Sequence, residues 1–154
     1  MRTWFVLISW IFVSHANAAP RLINDPVRNL ISGANSELHQ ASKNVRALSD
    51  RHLDFLLNDG PSAAQNSCAA IKDILSQLST RAEFLRVNFK SQETRLSEGF
   101  SKEIDTRFLK LQALSELALQ KCADHEATGA LDLIYQELMS TGLLVQSYLV
   151  PEPL

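Results

Sequence analysis

The chemistry that can be predicted most directly in this 154-residue chain is that of its two cysteines, Cys68 and Cys122. In an oxidising compartment such a pair forms a disulfide, whereas in the cytosol two buried free thiols are the usual state. Segment 1–18 predicts the oxidising case, because a basic Arg2, an apolar run from 4 to 13 and Ala-Asn-Ala at 16–18 are typical of a cleaved signal peptide. We therefore expect a secreted, extracellular protein with a Cys68–Cys122 disulfide.

An uncleaved membrane anchor is the alternative interpretation of the same leader. Its apolar run is about ten residues long, whereas a helix that crosses a bilayer needs roughly 20. No later segment is long or apolar enough to span a membrane. We expect no transmembrane segment, and the mature chain, 19–154, has a length typical of a single domain.

The polar residues predict neither a catalytic nor a metal site. His39, His52 and His125 are too widely spaced for a recognisable zinc pattern. Asp124-His125-Glu126 is the densest polar triplet, but adjacent helical residues point in different directions. The sequence contains no nucleophile elbow, no His-Glu-x-x-His motif and no phosphate-binding glycine loop. We expect no enzyme activity and no cofactor.

Charge argues against a nucleic-acid partner. The whole chain has 15 basic and 17 acidic residues, and removal of the leader takes away one basic residue and no acidic one. The mature chain thus has a net charge of −3, from 14 basic and 17 acidic residues. Nucleic-acid binding needs a concentrated basic surface, whereas here acids and bases alternate along the chain.

Both cysteines lie on heptad-like apolar patterns, which predict long α-helices. From 62 to 89 the apolar residues are spaced alternately four and three apart, which places them on one stripe of a helix. Asp25-Pro26 is a typical N-cap followed by proline, and Ser62 with Gln65 fits a capping box. Thr128-Gly129 and Pro151 mark later boundaries. The predicted helices span about 26–58, 62–94, 99–125 and 129–150.

The cysteine spacing decides how these helices fold. If 62–122 were one straight helix, the two cysteines would stand roughly 80 Å apart, whereas a disulfide needs Cα atoms within about 7 Å. The chain must therefore turn near the midpoint, residue 95, where segment 91–99 loses its apolar pattern. We predict an all-α, up-down-up-down antiparallel four-helix bundle whose central hairpin is closed by the disulfide.

The predicted core follows from the same stripes, with three or four residues from each helix. It comprises Ile31, Leu38, Val45, Leu48, Ile71, Leu75, Leu78, Leu85, Ile104, Leu111, Ala118, Ile134, Leu138 and Val145. The rival architecture is an elongated coiled coil linked between chains by disulfides. His52 also falls on a stripe position. We interpret it as a hydrogen-bonded or half-solvated residue at the rim of the bundle, and a pH switch is the alternative.

With no catalytic motif, helix surfaces are the features through which such a bundle would act. We expect a non-enzymatic protein that binds an extracellular protein partner, in the manner of exported inhibitors, cytokine-like factors or secretory-fluid proteins. The alternative is a carrier of lipid or another small apolar ligand. It rests on the last helix, where Leu133, Met139, Leu143 and Leu144 widen the apolar face. We interpret that width as central packing against three other helices, and a carrier would need a cavity beside Leu111, Leu138 and Val145.

Overall fold

In the computed structural model, residues 25–58, 61–122 and 126–148 are described, and within 61–66 only the backbone. This part of the chain forms four α-helices and has no strand. The helices are α1 (Pro26–Asn58), α2 (Pro61–Ser91), α3 (Glu98–Gln120) and α4 (Glu126–Ser147). The predicted all-α, up-down-up-down four-helix bundle is confirmed.

Each helix packs mainly against two others, so that the four close into a ring. The most extensive packing joins α1 to α4, followed by α2 with α3, α3 with α4, and α1 with α2. The first and last helices are thus neighbours, as expected for sequential antiparallel helices around one core. All fourteen residues predicted for the core are buried in it.

The bend of the central hairpin lies where the cysteine midpoint predicts it. After α2 ends at Ser91, a 3₁₀ turn spans Glu93–Arg95, and the side chain of Leu96 is buried. Ser97 then caps α3, because its Oγ accepts a hydrogen bond from the Phe100 N–H at 3.3 Å. The last turn predicted for α2, to residue 94, is therefore a tighter 3₁₀ turn, which reverses the chain in fewer residues.

The disulfide joins α2 to the residue that follows the last turn of α3. The Cα atoms of Cys68 and Cys122 are 5.1 Å apart, although 54 residues separate them in sequence. The predicted intramolecular pairing is confirmed, and the straight helix of the coiled-coil rival is not formed.

The connection between α3 and α4 differs from the predicted one at both of its ends. α3 ends at Gln120, whereas the prediction placed its end at residue 125, and 123–125 lie outside the described residues. α4 begins at Glu126 and continues through Thr128 and Gly129, where we predicted a boundary. Ala127, Ala130 and Leu131 are buried, and burial of that face outweighs the ~1 kcal/mol by which glycine disfavours a helix.

The start of α1 has the predicted cap. The carboxylate of Asp25 accepts a hydrogen bond from the backbone N–H of Val27, with 2.9 Å between the two atoms. α2 begins one residue before the predicted Ser62, at Pro61, a residue that suits the first turn of a helix. The side chains of the predicted capping box, Ser62 and Gln65, lie outside the described residues.

Candidate binding surface

The outer face of α4 carries apolar side chains that the core does not use. α4 packs mainly against α1 and α3, and a buried stripe that includes Ile134, Leu138 and Val145 fills this contact. Met139 remains 38% exposed and Leu143 63% exposed. Our interpretation that the wide apolar face of α4 packs centrally against three helices is therefore wrong, and part of that face meets solvent.

These two residues border a shallow groove between α4 and α1. The groove has a volume of about 70 Å³, and it is lined by Asn35, Leu38, His39, Ser42, Leu138, Met139, Gly142, Leu143 and Gln146. Gly142 lies where the helices approach, since a Cβ built on it would be 4.0 Å from Asn35 Oδ1 and from Leu38 Cβ. We call six of these residues, which are exposed or partly exposed, the α1–α4 face: Asn35, His39, Met139, Gly142, Leu143 and Gln146.

One side of the α1–α4 face is bounded by polar contacts. The Arg46 guanidinium lies 3.7 Å from the Asp132 carboxylate and 5.8 Å from the centroid of the Tyr135 ring. Ser49, which is buried in α1, donates a hydrogen bond to Asp132 Oδ1 at 3.0 Å. These contacts fix α1 against α4 and leave the groove open beyond them.

A second apolar pair lies on the outer surface of α2. Phe84 and Val87 are both largely exposed, and their three-residue spacing places them on neighbouring positions of the helix surface. This pair is a convenient internal comparison for the α1–α4 face, because it is just as apolar but lies on another helix.

A polar cluster joins α2 to α3. The Glu83 carboxylate accepts two hydrogen bonds from Arg86, at 2.8 and 2.9 Å, and one from Gln112 at 3.0 Å. Arg86 also donates to Asp105 at 3.2 Å. The hydrogen bonds from Arg86 lower the pKa of Glu83 to about 2, and those to Glu83 raise the pKa of Arg86. A carboxylate held in this way is ionised and engaged, which suits a structural role.

A buried carboxylate joins α3 to α4. Glu137 is almost fully buried, and it accepts hydrogen bonds from Arg107 at 3.1 Å and from Lys110. Arg107 also donates to Glu103 and Ser140. Hydrogen bonding to Glu103, together with the charge of Glu137, raises the pKa of Arg107. Each Glu137 oxygen therefore has a cationic partner, which is the usual arrangement for a buried charge that stabilises a fold.

His52 is hydrogen-bonded, as our interpretation allowed, but it is fully buried and is therefore not a half-solvated residue at the rim. Its Nδ1 lies 2.7 Å from the hydroxyl of buried Ser67 in α2, and its Nε2 is buried without a hydrogen-bond partner among the described residues. Ser67 makes the burial tolerable, because it satisfies one ring nitrogen. The stripe position was visible in the sequence, but the partner on another helix was not.

Of the other polar residues singled out in the sequence, His39 and Glu126 lie in the described part of the chain. His39 is exposed in α1, while Asp124 and His125 lie outside the described residues. Glu126 begins α4 and lies 2.8 Å from Lys121, whose hydrogen bond lowers the pKa of this carboxyl. Among the described residues no group of three His, Cys, Asp or Glu side chains could hold a metal ion.

No helix within residues 25–58, 61–122 and 126–148 is both long enough and apolar enough to cross a membrane.

The grooves between helices are open. One of them, between α1 and α2, has a volume of about 360 Å³ and a rim that includes Glu37, Gln77 and Arg81. At the position predicted for a ligand cavity, Leu111, Leu138 and Val145 are packed to full burial, and the pocket beside Leu111 has a volume of only about 10 Å³.

Comparison with known proteins gives no relative. No family model matches the chain, and neither the curated proteins nor the solved structures contain a match. The sequence indicated the α1–α4 face only through the apolar excess of α4, because a heptad pattern does not tell which edge of a wide apolar stripe meets solvent.

Proposed function

We propose that this chain is a secreted, non-enzymatic protein that binds an extracellular protein partner through the α1–α4 face. The observation that carries the proposal is the exposure of Met139 and Leu143 on α4, a helix that already contributes other, buried side chains to the core. Neither side chain is needed to fill the bundle, and both border a groove that a partner could enter.

The composition of the α1–α4 face suits recognition. Methionine is flexible and polarisable, so Met139 can adapt to the shape of a partner, and Leu143 offers an apolar anchor. Asn35 and Gln146 add amide groups that can donate and accept hydrogen bonds beside these anchors. An apolar centre with a polar rim is the usual anatomy of a protein–protein interface.

Secretion is supported by the predicted leader at 1–18 and by the disulfide, which persists in oxidising compartments. A non-enzymatic role is supported by the charged clusters of the described residues. The carboxylates Glu83 and Glu137 are hydrogen-bonded to cations of their own bundle, and they are not poised toward a substrate. An inhibitor, a cytokine-like factor or a secretory-fluid protein would each act through such a surface.

Site-specific photo-crosslinking tests the proposal. A photoreactive residue at position 146, beside Leu143, should form a covalent adduct with a protein of the native extracellular fluid, and the substitution Leu143→Ser should abolish this adduct. The same residue placed at position 88, beside Phe84, should give no such adduct, and Phe84→Ser should leave the first adduct unchanged. This function would be rejected if no adduct forms at position 146, or if the adduct persists in the Leu143→Ser variant.

The carrier alternative has less support from the geometry. Its predicted position is filled by side chains, and a small apolar ligand normally needs an enclosed pocket of at least ~300 Å³. Mass spectrometry of an organic extract of the native protein tests this alternative. A stoichiometric lipid in that extract would favour the carrier over the partner-binding protein.

A further inference from the structure

We infer that the segment docking on the α1–α4 face is acidic, with apolar side chains that contact Met139 and Leu143. The inference rests on the proposed function and specifies the chemistry of the partner. It follows from the distribution of charge over the two helices that form the face.

The Asp132 carboxylate of α4, at one boundary of the face, is paired with Arg46, and beyond it neither helix presents a carboxylate to this region. Between residues 26 and 46 the only acidic residue is Glu37, and between 133 and 147 it is Glu137. Glu37 faces α2, where its carboxylate lies 3.5 Å from the Arg81 guanidinium in a contact without hydrogen-bond geometry. Glu137 is buried against α3 by Arg107 and Lys110. Both acids are thus directed to the far sides of their helices.

Two cations extend the α1–α4 face along α1. Lys43 follows His39 by four residues, and Arg28 precedes Asn35 by seven, so each shares its side of the helix. Both side chains are exposed, and neither has an ion pair within the described part of the chain. Arg46 differs, because Asp50 and Asp132 already pair with it.

The result is a local positive surface on a chain with a net negative charge. At physiological salt, electrostatic attraction acts over about 8 Å, which is enough to reach the flanks of a docked segment. Carboxylates beside apolar anchors would complement Arg28 and Lys43 while burying Met139 and Leu143. An amphipathic helix with apolar residues three and four apart fits a groove between two helices.

The same charges disfavour a second copy of this chain as the occupant. A symmetric dimer through the α1–α4 face would bring the Arg28 and Lys43 side chains of both copies together, and like charges in an interface oppose association. An anionic membrane surface would also be attracted, but a flat bilayer cannot enter the groove beside Gly142. A protein segment uses both the groove and the charges.

Selection from a displayed library of random peptides, each about 16 residues or four helical turns long, tests this inference. The immobilised mature protein should enrich peptides that combine Asp or Glu with Leu, Phe or Trp at helical spacing. Synthetic versions should bind roughly tenfold more weakly to Lys43→Glu and to Leu143→Ser, and binding should weaken as salt rises. The matched controls Lys72→Glu and Phe84→Ser, on α2, should bind as the wild type does.

These outcomes distinguish two claims: that the α1–α4 face is a binding site, and that the segment bound there is acidic. If the selected peptides are neutral or basic, or if Leu143→Ser abolishes binding and Lys43→Glu does not, the face is a binding site but its partner is not acidic. If neither variant changes binding, or no peptide is enriched, the face itself is not the site. Sedimentation of the protein with phosphatidylserine vesicles that depends on Lys43, or a dimer by analytical ultracentrifugation that Leu143→Ser dissolves, would overturn the acidic segment in favour of those occupants.

Discussion

Arg95, in the bend between α2 and α3, donates a hydrogen bond to the carboxylate of Asp25 at the start of α1, with 2.9 Å between Nη2 and Oδ1. The same Asp25 oxygen accepts the N–H of Val27, so one atom both caps α1 and ties it to the bend. The α2–α3 bend and the beginning of α1 therefore lie at the same end of the bundle.

Replacement of these two partners should have unequal effects. Arg95→Ala should lower the free energy of unfolding by less than about 1 kcal/mol, because the ion pair is partly exposed to solvent. Asp25→Ala should cost roughly 1–2 kcal/mol, because it removes the cap as well as the pair. Urea denaturation measures both, and an equal loss in the two variants would show that Asp25 does not act as a cap.

Loss of the disulfide should be the largest single perturbation. The bond closes a loop of 54 residues, for which the chain-entropy model gives roughly 4 kcal/mol. We expect the Cys68→Ser/Cys122→Ser double variant to unfold at correspondingly lower denaturant concentration than the oxidised wild type. The wild type should migrate as a monomer on a non-reducing gel, whereas a covalent oligomer would contradict the intramolecular bond.

The contact between His52 and Ser67 gives a test of the buried polar core. Ser67→Ala should destabilise the protein by about 1–3 kcal/mol, because it leaves both buried ring nitrogens of His52 without a partner. Ser76→Ala, at an exposed position of the same helix, is the control and should change stability little. If the two alanine variants are equally stable, the histidine finds another partner.

The buried Glu137 should depend more on Arg107 than on Lys110. Arg107→Ala removes hydrogen bonds to Glu103, Glu137 and Ser140, and we expect a loss of roughly 1.5–3 kcal/mol. Lys110 is mostly exposed, so Lys110→Ala should cost less. Thermal denaturation at neutral pH compares the two variants, and a larger loss for Lys110→Ala would contradict this ranking.

A fall in pH should weaken the contact between α2 and α3, because Glu83 becomes protonated. The pKa of this carboxyl is about 2 in the folded protein, below its ordinary value of 4.5. Its contribution to stability is therefore complete above pH 4.5, and it is lost as the pH falls from there toward 2. Glu83→Gln should reduce the slope of stability against pH over this range. Glu116→Gln, on an exposed surface, controls for the loss of one negative charge.

The sequence predicted the bundle because two independent signals agreed. The apolar periodicity faltered where the midpoint of Cys68 and Cys122 required a bend, and each stripe named residues that are buried. The prediction from sequence was wrong where burial or a helix end depends on residues that are close in space but distant along the chain. The burial of His52 requires Ser67 on another helix, and the early start of α4 requires the core contact of Ala127. The exposure of Leu143 likewise depends on which helices flank α4.

The disulfide also changes how far the chain must search to bring α1 against α4. Ser49 and Asp132, which meet in that contact, are 83 residues apart along the backbone. Through the bond the path is about 30 residues, since Cys68 lies 19 residues after Ser49 and Cys122 lies 10 before Asp132. Loop-closure entropy then favours the oxidised chain by roughly 0.9 kcal/mol. In a chain oxidised before it folds, Ser49 and Asp132 should therefore meet about five times more often than in a reduced one.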